Sequence, residues 1–423
     1  MADSDTPQPT VLLCKWKEEL VRTFLGLGCR LYLVLDDFDL KNNNPPADLL
    51  DAAEGVYRVP EFDSLDAVAT VAADLKLRGE RIDHIVSHAE YSQFGAGYLD
   101  ILLRRGGAHP FGHVALRDKR LMKAAVRKAG IPAAAFVPLT SAGDLRGAAE
   151  AARTLQFPAV LKPATGLGTL STTKVARPED LLPALQRIDY SPKLKSRQLS
   201  VEEFVEGREY HVDAFWVRGN PVYLAVGEYC HNQLSLVSDT GKGGRLLDGS
   251  RIVLRDEDPA LYEDIAELHH RVNKALSVTD GNTHLEVFRK ADGSLVFSEM
   301  AGRIGGGWLP LLLTQYLGRS VWEVIARGTL GETGVTPAPA HTYLGGFALA
   351  PDAGGTIAEV PGEAEALACP GVLSWKAFCK PGDTVPDHTI DRRSAFIVVG
   401  ADSLSDYEKY VEEAHRRLTI KLA

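Results

Sequence analysis

The sequence predicts an α/β protein built from several domains, and three observations carry that expectation. Strand and helix patterns alternate through the first third, the middle third joins β-hairpins to one long amphipathic helix, and the region after residue 336 mixes short strands with a closing helix. A length of 423 residues leaves room for about three domains with sizeable cores.

The first third reads as an open parallel sheet of Rossmann-like type. Thr10–Leu13 is a strand, Glu18–Leu27 a helix stopped by Gly28, and Arg30–Leu35 a second strand. After a polar loop, Asn42–Pro46, come a strand at Val56–Val59, an amphipathic helix at Ser64–Arg78 and a strand at Ile82–Ser87. The turn after the first strand, Cys14-Lys15-Trp16-Lys17, has no GxGxxG, which speaks against a dinucleotide there.

A boundary is expected near His109–Val114. Asp118–Ala129 then reads as a helix stopped by Gly130 and Pro132, Ala159–Lys162 as a strand, and Pro163–Thr173 as a Gly/Thr/Ser-rich loop leading back into a strand at Lys174-Val175. Pro178–Ile188 is helical, with proline early, where it is tolerated. Strands are expected at Leu199–Phe204, Tyr210–Val217 and Val222–Glu228, followed by a flexible stretch at Gly241–Gly244 and a long helix at Pro259–Leu276. Thr283–Phe288 and Leu295–Glu299 form a hairpin across Asp292-Gly293. A further helix starts near Pro310, and Ser394–Val399 and Ser405–Leu418 give a last strand and helix. The divisions are 1–115, 116–200, 201–335 and 336–423.

Composition narrows function. Apolar residues make up 45% and charged residues 24%, so a disordered or fibrous chain is excluded. The balance of 47 Lys and Arg against 56 Asp and Glu leaves a net charge of −9, unsuited to general nucleic-acid binding. The five cysteines, Cys14, Cys29, Cys230, Cys369 and Cys379, are odd in number and scattered. They read as reduced thiols and not as a disulfide framework or zinc site. With a polar start lacking signal-peptide character, and no apolar run of the ~18 residues a membrane helix needs, a soluble cytoplasmic protein with no membrane partner is expected.

Three segments carry chemistry. The hairpin HLEVFRKADGSLVFSEMAGR places Glu286 and Glu299 near each other across the ladder, on one face if the register is regular. Two such carboxylates need a cation or a shared proton, and Mg2+ takes oxygen ligands of this kind. Alone, the pair fits a solvated strand face better. The loop from Lys162 to Thr173 offers glycine backbone N–H groups, hydroxyls and an entrance lysine to an anion, but on its own is also an ordinary surface turn. Val201–Tyr210 is either a plain hairpin or a hinge whose backbone meets adenine, with Glu209 reaching ribose hydroxyls.

In this order the segments resemble the ATP-grasp superfamily of carboxylate–amine ligases. Asp118-Lys119 ahead of Gly130-Ile131-Pro132, Phe157-Pro158-Ala159-Val160-Leu161-Lys162-Pro163, Glu202-Glu203-Phe204-Val205-Glu206-Gly207-Arg208-Glu209, Glu286, and Glu299 with Arg303 match its motifs from about Asp118 to Gly307. The resemblance implies an ATP-grasp fold with an N-terminal Rossmann-like domain, a lid at 116–200, a central domain at 201–335 and a C-terminal α+β extension. It further implies ATP held by Lys119, Lys162, Thr169, Glu202, Glu203, Val205 and Glu209, and two Mg2+ ions, replaceable by Mn2+, at Glu286 and Glu299. Arg303 and Lys162 then stabilise phosphoryl transfer to a carboxylate, and an amine attacks the acyl phosphate to give an amide, ADP and phosphate. Family members are often homodimers, and a homodimer is expected.

One departure narrows the subfamily. Where many ATP-grasp enzymes read Glu-x-Asn-x-Arg, this chain has Glu299-Met300-Ala301-Gly302-Arg303, and Ala301 offers no ligand. That form, with Gly305-Gly306-Gly307 after it, resembles the bacterial L-amino acid ligases that make dipeptides. In them an acid and a histidine near Glu228 and His231 line the amino-acid pocket. Glu228 would meet a substrate ammonium and His231 accept the amine's proton, while Gly305, Gly306 and Gly307, with Gly306 and Gly307 against the substrate, would donate N–H groups to the tetrahedral oxyanion. Trp308 is read as core or as a wall of the pocket. His269 and His270 are expected to be solvated, and His84, His88, His109 and His113 structural. The alternatives are an ATP-grasp carboxylase or purine-pathway ligase, and an inactive ATP-binding regulator, which Ala301 favours and the intact Lys162, Glu286, Glu299 and Arg303 oppose.

Overall fold

The computed structural model describes residues 8–103, 110–191, 194–238, 246–386 and 392–423. The expected flexible stretch Gly241–Gly244 and His109 lie outside the described residues.

The first region is a parallel sheet of β1 (Thr10–Cys14), β2 (Arg30–Asp36), β3 (Gly55–Val59) and β4 (His84–Ser87), in the order β3-β2-β1-β4. Its inner strands are apolar through their middles because helices cover both faces. Val11, Leu13, Leu31 and Leu33 share a core with Phe24 and with Leu312 and Val324 from later in the chain. Leu12, Cys14 and Val34 pack instead on Val68, Val71 and Leu75 of the helix Leu65–Leu77.

The second region is an antiparallel sheet of β5 (Phe136–Leu139), β6 (Ala159–Pro163), β7 (Thr173–Val175) and β8 (Leu199–Glu203), ordered β5-β8-β6-β7. The helix Lys119–Lys128 leads into it, capped by Asp118, whose carboxylate accepts from the backbone N–H of Arg120 at 3.0 Å. Strand β8 runs across the expected division at 200/201.

The third sheet has eight antiparallel strands. They are β9 (Arg208–Val217), β10 (Asn220–Tyr229), β11 (Gly249–Ile252), β12 (Gly281–Arg289), β13 (Leu295–Ala301), β14 (Tyr343–Leu349), β16 (Val372–Ala377) and β18 (Ala395–Ala401), in the order β13-β12-β9-β10-β11-β14-β18-β16. The short strands β15 (Gly355–Glu359), β17 (Thr384–Val385) and β19 (Lys421–Leu422) form a small separate sheet. The large sheet therefore continues through the expected division at 335/336. The helix Pro259–Leu276 covers one face, with Leu261, Ile265, Leu268 and Val272 against Tyr210, Val212, Leu285 and Val287. By strand alternation, His211, Asp213, His284 and Glu286 face the other way.

Several expectations are corrected. Residues 178–188 do not form one helix: a 3₁₀ turn at Pro178–Asp180 precedes a short helix, Leu181–Gln186, in which Pro183 has no N–H to donate. The Asn42–Pro46 loop begins inside a π-helical turn, Asp39–Asn43, where Asn43 donates to Asp39 at 3.0 Å. His269 is not solvated. It lies on the sheet-facing side of its helix, fully buried, bonded to Thr283 Oγ1 at 2.9 Å and edge-on to Trp216, and burial lowers its pKa to about 3. His270, one step round the helix, is exposed. Among the described residues no helix is long and apolar enough to cross a membrane.

Candidate active site

The hairpin puts Glu286 of β12 directly opposite Glu299 of β13, with a register shift one residue further along at Val287. The turn closes through Lys290 N–H to Ser294 O at 2.9 Å, with Gly293 at φ 83°, a conformation glycine adopts without strain. Two rungs on, His284 opposes Ala301 on the same face, so no side-chain oxygen stands where an asparagine ligand would. Tyr229 donates to Glu286 Oε1 at 3.2 Å. Glu209, on the same face of β9, accepts from the Gln233 N–H at 2.7 Å. Burial and the nearby Glu286 push its pKa up to about 8. Three acids thus converge where a cation would relieve them.

Lysines meet this group from the second region. Lys119 Nζ lies 3.3 Å from Glu299 and donates to Gly166 O at 3.0 Å. Lys162 Nζ lies 2.9 Å from Glu202 and 3.4 Å from Glu299. Burial alone would lower the Lys162 pKa, but Glu202 and Glu299 hold it above its usual value. Against a burial penalty of its own, Glu299 is held at about 2 by Lys119, Lys162 and Lys123. Lys123, absent from the sequence-level site, sits 3.2 Å from Glu202 and donates to Ser298 O at 2.6 Å. Its signal was its place one helical turn after Lys119.

Glu202 is therefore a buried partner of lysines. Glu203, the next residue along the strand, accepts from the Gln156 N–H at 2.9 Å and stands outside the cluster. Val205 lies half-buried in the connection from β8 to β9. In the Gly/Thr loop, the buried Thr169 Oγ1 has no hydrogen-bond partner among the described residues, a donor left for a ligand oxygen.

Arg303 is clamped: Nε donates to Glu90 Oε2 at 2.6 Å and Nη1 to Ile304 O at 2.9 Å. Glu90, from the first region, also binds Arg117, so one carboxylate ties two guanidinium groups from later in the chain. The two arginines outweigh its burial and keep its pKa below the usual range. Neither Glu90 nor Arg117 belongs to a motif, and only the fold brings them here. Beside Arg117 and Thr165 opens a cavity of about 420 Å3 walled by Tyr91, Phe94, Tyr98 and Ile101. Past Arg303, the Gly305 N–H is taken up by Asp213 at 2.7 Å. Gly306 borders open space, and Gly307 turns at φ 67°.

Glu228 does not join the site. It pairs with Tyr210 in the sheet and so faces the Pro259–Leu276 side, held by Arg208 at 2.7 Å and Arg251 at 3.2 Å. That placement corrects the expectation that it meets a substrate ammonium. His231 lies half-buried just beyond β10. Trp308 is core, almost fully buried, and donates to Ser250 Oγ at 2.9 Å.

The lysine-bearing antiparallel sheet, the facing carboxylates and the arginine beyond them fall largely within residues 155–310, which match the ATP-grasp domain. The chain also matches the L-amino acid ligase C-terminal domain 2 over residues 348–423. It is 29% identical over 339 residues to the L-arginine-specific L-amino acid ligase of Bacillus subtilis, covering 79% of this chain and 78% of that one. In fold it resembles an L-amino acid ligase from Bacillus licheniformis, with a TM-score of 0.76 at 16% identity over 99% of this chain and all of the other. A carboxyaminoimidazole ribonucleotide synthase from Aspergillus clavatus, complexed with ATP, gives 0.69 at 17% identity over 97% and 99%.

Proposed function

We propose that the protein joins two amino acids, activating the carboxylate of one as an acyl phosphate and passing it to the amine of the other. The observation that carries this reading is the meeting, on one sheet face, of the Glu286–Glu299 rung with Lys119, Lys162 and Arg303. The cavity beside Arg117, apolar-walled with few polar groups, has the make-up of a small-molecule site and suits an amino-acid side chain.

In this reading Lys119, Lys162 and Thr169 take phosphate oxygens, Val205 and the backbone around it take adenine, and Glu209 takes ribose. The paired carboxylates, hard oxygen donors beside the buried Glu209, fit Mg2+, which Glu286 and Glu299 would hold. Bound there, the two ions would neutralise charge on the transferring phosphoryl group. Arg303 forks onto the phosphoryl or carboxylate oxygens with the nitrogen its two hydrogen bonds leave over. The Gly306 and Gly307 N–H groups receive the oxyanion, Gly305 being engaged already. His231 accepts the proton of the attacking amine. We further propose a cytoplasmic homodimer with no nucleic-acid or membrane partner, the dimer to be checked by light scattering.

The test is an ADP-release screen over pairs of amino acids, with products weighed by mass spectrometry. A product heavier than neither amino acid, or ADP release with bicarbonate alone, would refute it.

A further inference from the structure

The roles above leave unused a run of buried polar side chains behind Glu286. Trp308 Nε1 donates to Ser250 Oγ at 2.9 Å, and Ser250 Oγ lies 2.9 Å from His211 Nε2. His211 Nδ1 lies 2.9 Å from Asp213 Oδ2, and His284 Nδ1 lies 3.1 Å from Asp213 Oδ1. The far nitrogen of His284 ends 3.5 Å from Glu286 Oε1. Asp213, fully buried, also accepts the Gly305 N–H. That approach needs glycine: a Cβ at 305 would stand 2.1 Å from Leu309 and 2.7 Å from the His284 ring.

His211, Asp213 and His284 lie close enough to suggest a metal site of their own. Their geometry argues against it. Both Nδ1 atoms are spent on Asp213, and the outer nitrogens face Ser250 and Glu286, so no lone pairs converge on an empty centre. What the run does is hold two things at once. One branch ends on a carboxylate, the other on the backbone of the Gly-rich turn.

We infer that Asp213 is a positioning residue: through His284 it fixes the Glu286 carboxylate for a divalent cation, and through Gly305 it fixes the turn beside Arg303. The inference rests on the reading that Glu286 holds the cation. Mg2+ demands near-ideal octahedral geometry, so a carboxylate free to swing binds it poorly. Partners that orient a metal-binding side chain commonly change affinity by about 10–100-fold when lost.

The experiment measures Mn2+ binding to the ADP complex by electron paramagnetic resonance in the unaltered protein, Asp213→Asn and His284→Gln. ADP binding in EDTA is measured alongside. Both substitutions keep approximate side-chain size, and Asp213→Asn exchanges one acceptor oxygen for a donor NH2. The expected result is an Mn2+ dissociation constant raised about tenfold or more in each variant, with metal-free ADP binding changed less than about twofold, inside the ordinary scatter of a neutral substitution. Unchanged Mn2+ affinity in a folded variant overturns the inference, and so does a parallel loss of metal-free ADP binding, which marks a structural role. If Asp213→Asn does not fold, His284→Gln decides on the same terms, and failure of both to fold also assigns the run to structure. If the unaltered protein binds no Mn2+ with ADP, the cation reading of Glu286 is what fails, and this inference falls with it.

Discussion

Replacing Arg303 by lysine tests the proposed phosphoryl-transfer site most directly. The guanidinium is held in two directions, by Glu90 through Nε and by Ile304 O through Nη1, and in the proposed function what remains serves the reacting groups. A lysine ammonium is a single point on a shorter stem. Drawn to the buried Glu90 carboxylate, which it would help neutralise, it cannot also reach a phosphate. The charge survives and the fork is lost. An arginine in phosphoryl transfer is worth ~10³–10⁵ in rate, so a loss of at least ~10²-fold in kcat, or ~2.7 kcal/mol of activation free energy, is expected. Nucleotide affinity, resting on Lys119, Lys162 and the β8–β9 connection, should change little. The assay is steady-state ADP release with the amino-acid pair found by the screen, set beside calorimetric ATP-analogue binding. A lysine variant with near-normal kcat would refute the reasoning, as would one unable to bind nucleotide.

Glu286→Gln and Glu299→Gln should each cut turnover strongly while the far-ultraviolet dichroism stays unchanged, and normal ADP release in either would remove that residue from the metal site. Lys162→Ala should raise the KM for ATP more than that for the amino acids, because its ammonium lies at the mouth of the Gly/Thr loop; equal effects on both would contradict the assignment. Glu228→Gln, on the opposite sheet face, should leave amino-acid KM values within about twofold, and a large rise would reinstate it as a substrate ligand. His269, with its pKa lowered to about 3, is neutral when folded, whereas its unfolded form takes up a proton near pH 6.5. It therefore weakens the fold progressively as pH falls from 6.5 toward 3. In His269→Gln, urea unfolding followed over that range should show a shallower acid loss, and an identical slope would refute the buried-histidine account.

What the sequence disclosed follows from which interactions are local. The Glu286–Glu299 rung was legible because a hairpin links both residues across one turn, and its register needs only the alternation of the strands. Lys162 at a strand end is equally local. His269 was misjudged although its helix spells out the buried face, since Leu261, Ile265, Leu268 and Val272 place it beside them; counting the helical period would have caught it. Glu228 was misjudged for the complementary reason. Its spacing to His231 was apparent, but which face of the sheet it takes depends on pairing with Tyr210, and that pairing fixes it on the side of Arg208 and Arg251. The hardest residues were those assembled from separate regions. Glu90 reaches Arg303 across 213 positions, and Asp213 gathers His211, His284 and Gly305 from two strands and a loop. Periodicity cannot announce such a residue, because its meaning lies in a buried charge that requires partners. A carboxylate enclosed by two imidazoles and an amide is stable only if all three arrive together, so the sheet that carries Glu286 and the turn that carries Arg303 are set by one shared constraint.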